Sequence, residues 1–144
     1  MPSYGFILRT IGNFASRRDY VKEFGRLVLL VDDDKSILRT FSRVLQRAGY
    51  QTETAEKGRE TLEKIQEKCY DITLIDIVLG DRNGLDLLPK IEETSPNTIK
   101  IIVTGADSNE KLAEANKNGA DAYLTKPVNP ETLLNLFEEK LSYK

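Results

Sequence analysis

Asp32 and Asp33 follow directly on the apolar run Leu27-Val28-Leu29-Leu30-Val31, and Asp76 closes a second run, Ile72-Thr73-Leu74-Ile75. Short, continuous apolar runs rich in β-branched residues read as strands buried on both faces of a parallel sheet. In such a sheet, ligands bind outside the carboxyl ends of the strands. Three carboxylates brought to one sheet edge repel one another unless a cation holds them together. Magnesium favours one or two carboxylates together with waters and phosphate oxygens, so the pattern suits a Mg2+ site beside a phosphate.

The aspartates need a scaffold that sets their two strands side by side. From residue 27 onward, strand and helix patterns alternate. The strands are expected over 27–31, 51–55, 71–75, 98–103 and 122–124. Asp34 caps a first helix over 35–48, with Ile37, Phe41, Val44 and Leu45 on one face and Gly49 as its stop. A second helix over 58–68 carries Leu62 and Ile65. A third over 85–93 contains Pro89 and is short or kinked for that reason. A fourth over 108–117 stops at Asn118-Gly119, and a fifth opens at Asn129-Pro130, a cap followed by proline at the first helical position. Five such units imply an α/β fold: a doubly wound, five-stranded parallel sheet with helices on both faces. The flavodoxin-like order 2-1-3-4-5 puts its switch point between strands one and three, the two that end in aspartates.

At 144 residues, with 31% charged and 40% hydrophobic side chains, the chain reads as one globular domain. A net charge of -2 gives no electrostatic reason for nucleic-acid binding. The absence of histidine excludes a His-based hydrolase, a histidine kinase and a histidine phosphocarrier. A lone cysteine, Cys69, fits a packing role in a reducing, cytoplasmic compartment. No apolar stretch reaches the roughly 20 residues that span a bilayer.

Five segments in order resemble the receiver domain of bacterial response regulators: Val31-Asp32-Asp33-Asp34, Asp71-Ile72-Thr73-Leu74-Ile75-Asp76, Gly84-Leu85-Asp86-Leu87-Leu88, Val103-Thr104 and Tyr123-Leu124-Thr125-Lys126-Pro127. The resemblance covers residues 27–144 and implies a signalling module rather than an enzyme. By it, Asp76 is the phosphoacceptor, attacking a phosphohistidine on a sensor histidine kinase or phosphotransfer protein. Asp32, Asp33, Asp76 and the backbone carbonyl of Val78 hold Mg2+. Lys126 contacts a phosphoryl oxygen and is aimed by a cis peptide to Pro127. Thr104 hydrogen-bonds the phosphoryl group, and the switch aromatic Tyr123 follows it inward. The altered surface is the fourth helix, fifth strand and fifth helix, which signals through protein contacts or forms a homodimer. The chain ends with the fifth helix, so no DNA-binding output domain and no direct nucleic-acid contact are expected.

Two departures stand out. Gly80 takes a place where the family usually has proline, which implies a looser loop after Asp76. Val78 and Ala106 cannot position a hydrolytic water by side-chain hydrogen bonding, which implies slow autodephosphorylation. Asp81, Arg82 and Asp86 read as surface charges. A flavin binder of the same fold would need Ser, Thr or Gly amides where Asp32-Asp33-Asp34 stand. A phosphatase using Asp-x-Asp after strand one matches the spacing of Asp32-Asp33-Asp34 but would put Asp76, Thr104 and Lys126 in the wrong chain order for a simple enzyme site, and a phosphorylation-independent interaction module is a third alternative. Residues 1–26 lie outside the resemblance. They are basic, with Arg9, Arg17, Arg18, Lys22 and Arg26 against Asp19 and Glu23. Tyr4, Ile7, Leu8, Ile11, Phe14 and Ala15 follow helical spacing. A disordered leader, an upstream translation start, a dimerisation helix and an interfacial membrane helix all fit this segment.

Overall fold

The computed structural model describes residues 16–105 and 117–142, the side chain of Arg17 excepted. Among the described residues, five strands pair in parallel: β1 (Leu27–Val31), β2 (Gln51–Ala55), β3 (Ile72–Asp76), β4 (Ile99–Thr104) and β5 (Ala122–Thr125). Their order is β2-β1-β3-β4-β5, as the alternating pattern implied. Helices α1 (Arg17–Phe24), α2 (Lys35–Arg47), α3 (Gly58–Glu67), α4 (Leu87–Thr94) and α5 (Pro130–Leu141) accompany them. The expected helix over 108–117 lies outside the described residues apart from Lys117, as do the Tyr4–Ala15 pattern and Ala106.

The sheet separates two apolar cores, which is why β1 is apolar at every position. Leu27, Leu29 and Val31 face Ile65 of α3 and Leu87, Leu88 and Ile91 of α4. Val28 and Leu30 face Leu38 and Leu45 of α2 and Leu133 and Phe137 of α5. Alternate side chains of a strand point to opposite faces, so a strand covered on both sides can carry no polar alternation.

Local signals set most element ends. Asp34 accepts the Ser36 N–H at 2.9 Å, and Asn129 accepts the Glu131 N–H at 2.8 Å, each capping the helix it precedes. Gly49 ends the first of these at a φ of 97°, a left-handed conformation that glycine adopts freely. The segment after Asp76 departs from expectation. A 3-10 turn over Gly84–Asp86 comes first and the α-helix starts at Leu87. Pro89 thus sits in the first helical turn, where a missing N–H removes no intrahelical bond. β3 and β4 also begin one residue later than expected; ahead of β3, Asp71 turns its carboxylate to the Leu27 N–H at 2.8 Å and to Arg26 at 3.6 Å.

Part of the N-terminal extension is helical and docked. Tyr20 in α1 donates to Gln51 Oε1 at 3.4 Å, and Gln51 Nε2 donates to the Gly25 carbonyl at 3.2 Å. This contact lies at the amino end of β2, across the sheet from the aspartates.

Candidate functional site

Register places the four side chains on neighbouring strand ends. Val31 pairs with Ile75, Asp76 with Val103, and Thr104 with Thr125. Asp32 therefore stands beside Asp76, with Thr104 and Lys126 each one residue further along the next strands. The Lys126 N–H donates to the Thr104 carbonyl at 2.8 Å, extending the β4–β5 ladder to the lysine. Its peptide to Pro127 is cis, as expected.

The Lys126 ammonium lies 2.9 Å from Asp76 Oδ2 and 3.3 Å from Asp32 Oδ2, bridging the two carboxylates. Asp32 Oδ1 accepts the Asp34 N–H at 2.9 Å, and Asp76 Oδ1 accepts the Val78 N–H at 3.2 Å. Asp32, Asp76 and Thr104 are buried, whereas Asp33 and Val78 are exposed. One oxygen each from Asp32, Asp33 and Asp76 lies within 4.8 Å of the others. An all-oxygen carboxylate set suits a hard cation such as Mg2+. Burial pushes the Asp32 carboxyl above its ordinary range, and the charge of Asp76 adds to this; the Asp34 N–H and Lys126 offset only part. Burial works against the Lys126 charge, yet the Asp76 hydrogen bond and both carboxylates hold its pKa above the usual lysine value. The pocket is thus a charge cluster that one ammonium neutralises incompletely. Tyr123 is 40% exposed on β5, directed away from the core.

The loop after Asp76 is anchored more firmly than its composition suggests. Val78 and Asn83 form an isolated antiparallel bridge, and the Gly84 N–H donates to the Ile77 carbonyl at 2.6 Å. Asp81 corrects its assignment as a plain surface charge. Its carboxylate accepts the Gly58 and Arg59 N–H groups at 2.9 and 3.1 Å, capping α3, whose own N-cap residue Lys57 offers no side-chain cap. These amide bonds hold the Asp81 carboxyl below its usual range. Arg82 is half-buried against Gly58. The sequence reading also missed Lys100, a lysine inside the apolar run of β4 and 2% exposed. Its ammonium lies 2.6 Å from Glu92 and 3.5 Å from Asp121, at the end of the sheet opposite the aspartates. A lone cation in an otherwise apolar strand was the available signal.

The carboxylate cluster and Lys126 thus lie at the switch point of the doubly wound sheet. The sequence profile of the response regulator receiver domain matches residues 28–138. The alginate biosynthesis transcriptional regulatory protein AlgB of Pseudomonas putida is 36% identical over 106 residues, 74% of this chain and 24% of that protein. The chain thus spans about a quarter of that relative's length. Among solved structures, a CheY-like receiver domain protein of Methanospirillum hungatei is 41% identical with a TM-score of 0.79, covering 82% of this chain and 94% of that one. A response regulator of Burkholderia pseudomallei, solved with a phosphorylated aspartic acid, a calcium ion and citrate, is 31% identical with a TM-score of 0.73, covering 76% of this chain and 64% of that one. The matched profile takes in β1 through most of α5, and with it every strand end that carries the cluster. The chain belongs to the response regulator receiver domain family of two-component systems.

Proposed function

We propose that Asp76 accepts a phosphoryl group from the phosphohistidine of a sensor kinase or phosphotransfer protein. The observation that carries this reading is the Lys126 ammonium bridging Asp76 and Asp32 at 2.9 and 3.3 Å. Asp76 attacks phosphorus through a carboxylate oxygen, the P–N bond to the imidazole breaks, and the electron pair leaves with the ring nitrogen. Asp32, Asp33, Asp76 and the Val78 carbonyl would hold Mg2+, which would supply charge neutralisation for the transferring group. Lys126 balances the remaining charge as a compact ammonium on a flexible stem. Thr104, buried at the end of β4, donates its hydroxyl to the phosphoryl group, and Tyr123 turns from its exposed position as Thr104 moves. A new dianion beside a two-state side-chain pair shifts the surface formed by the segment before β5, β5 itself and α5, and a partner protein reads that change. Val78 and Ala106 leave the phosphoryl group without a side-chain aid to hydrolysis, so its loss is slow.

The test is intact mass after incubation with acetyl phosphate and Mg2+, for the wild type and Asp76→Asn in parallel. An adduct on the wild type alone is expected. An adduct on both variants moves the acceptor elsewhere, and none on either refutes the reading for small donors.

A further inference from the structure

Among the described residues β2 is an outer strand of the sheet, paired with β1 alone. Successive residues of a strand turn their backbone N–H and C=O to opposite sides. The Gln51 N–H donates to the Arg26 carbonyl and the Ala55 carbonyl accepts the Asp32 N–H, so Gln51, Glu53 and Ala55 face β1. Thr52 and Thr54 therefore turn their backbone groups to the open edge. Natural sheets blunt such an edge with lysine, proline or a bulge. β2 has none of these: it reads Gln51-Thr52-Glu53-Thr54-Ala55 and pairs with β1 in unbroken register. A groove of about 410 Å3 runs beside this edge, between β2 and the outer flank of α2. Lys35, Arg39, Ser42, Arg43 and Gln46 line it from the helix, and Thr54 from the strand. Gln46 Nε2 donates to Thr52 Oγ1 at 2.7 Å, so both threonine side chains lie on the α2 face. Lys35 lies 3.9 Å from Glu56 at one end. Arg39 and Arg43 are exposed and have no acidic partner among the described residues.

We propose that this edge receives an extended acidic segment of a partner protein, added as a strand beside β2 with its carboxylates on Arg39 and Arg43. The two arginines are one helical turn apart, about 6 Å along the axis. Alternate side chains of an extended strand are about 6.6 Å apart. Acidic residues at every second position of the added strand thus meet successive arginines while its backbone pairs with Thr52 and Thr54. The backbone bonds supply affinity for any extended chain, and the arginines supply the preference for an acidic one. Residues 1–15 carry Arg9 and no Asp or Glu, so the chain's own amino-terminal segment lacks the complementary charge. A second copy pairing antiparallel through its own β2 would turn Glu53 to the face away from α2, where Lys68 and Tyr70 already hold that carboxylate. The inference is independent of phosphoryl acceptance at Asp76.

The experiment titrates the whole chain into fluorescein-labelled octapeptides of alternating Val-Glu, Val-Gln or Val-Lys and reads anisotropy. The Val-Glu probe is expected to bind with a Kd below about 1 mM, and the Val-Gln probe about tenfold more weakly. Arg39→Glu combined with Arg43→Glu, both on an exposed helix flank, should reverse the preference in favour of Val-Lys. Thr54→Pro removes an outward N–H that no ladder bond uses, a change that an edge strand tolerates. It should weaken the Val-Glu probe by about tenfold. Circular dichroism confirms that the variants are folded. Amide exchange read by NMR should slow at Thr52 and Thr54 when the Val-Glu probe saturates the wild type. Failure of that probe to bind by about 1 mM, or equal binding of all three probes, overturns the proposal. Binding that leaves the Thr52 and Thr54 amides unprotected, or that survives Thr54→Pro unchanged, places the peptide on the helix alone and overturns strand addition. A dimer in sedimentation velocity that Thr54→Pro dissolves assigns the edge to a second copy and overturns the proposal as well.

Discussion

Gly84→Ala tests how tightly the loop after Asp76 is tied to the acceptor strand. Gly84 is buried, and its N–H donates to the Ile77 carbonyl at 2.6 Å. A Cβ added here would lie 3.0 Å from both the Asp76 carbonyl carbon and Ile75 Cγ2, and closer still to the Asp76 carbonyl oxygen. Backbone atoms of a central strand cannot swing aside as the end of a flexible side chain can. Relief requires the loop to retreat, which stretches the Gly84–Ile77 bond. That loses about 1 kcal/mol and strands a buried N–H at a further cost of about 1–3 kcal/mol. Residual overpacking adds about 1–3 kcal/mol. Alanine's lower unfolded-state entropy returns about 0.4–1 kcal/mol. The net loss is about 2–7 kcal/mol, a fall of roughly 7–23 °C in Tm for a domain of this size. Because the clash is with the backbone of Asp76 itself, the folded variant should also accept phosphate more slowly. Thermal and urea denaturation followed by circular dichroism measure the first effect, and intact mass with acetyl phosphate the second. Gly80→Ala is the control, since nothing lies within 4 Å of a Cβ there. A Gly84→Ala protein with wild-type Tm and wild-type phosphorylation would refute the close-packing argument.

Lys100 should behave as a buried charge whose partners are better solvated than itself. Glu92 and Asp121 keep 55% and 43% of their side chains exposed, so Lys100→Met strands neither carboxylate and should change stability by less than about 1 kcal/mol, or raise it. The double variant Glu92→Gln, Asp121→Asn leaves the ammonium buried without a counter-charge and should lose about 3–5 kcal/mol in urea titrations; a reversed order would overturn the account. Glu53 carries a pH signature. Burial pushes its carboxyl up, but hydrogen bonds from Lys68 and Tyr70 and the charges of Lys68 and Lys64 outweigh this and hold it below the usual value. Its contribution is complete above the unfolded-state pKa and is lost as pH falls through the folded one. Glu53→Gln should therefore cost about 1–2 kcal/mol at neutral pH. The gap to wild type should close below about pH 4. A gap that persists unchanged to pH 3 would exclude this linkage.

The strand pattern and three of the carboxylates were legible because their signals are local. An apolar run that stops at Asp32 or Asp76 states where a buried strand ends and where polar chemistry begins. Asp34 and Asn129 were equally readable, since a cap satisfies amides two and three residues away. Thr104 and Lys126 were not readable in this way. A threonine at a strand end or a lysine before proline has no local signature, and both were placed by family resemblance. The fold brings Lys126 onto Asp32 and Asp76.

Sequence by itself determined the element types, the parallel sheet and the edge on which the aspartates gather, because hydrophobic period and caps depend on neighbours a few residues apart. Tertiary structure alone decided that Asp81 caps a helix more than twenty residues before it, that Lys100 finds Glu92 and Asp121, and that a cavity remains between α2 and Val128. It also decided that Pro89 enters the first turn of α4 instead of kinking it, because the Gly84–Asp86 turn delays the helix to Leu87. These features arise where elements distant in the chain meet. Their distances follow from how helices pack across the sheet, a quantity that no short window of residues contains.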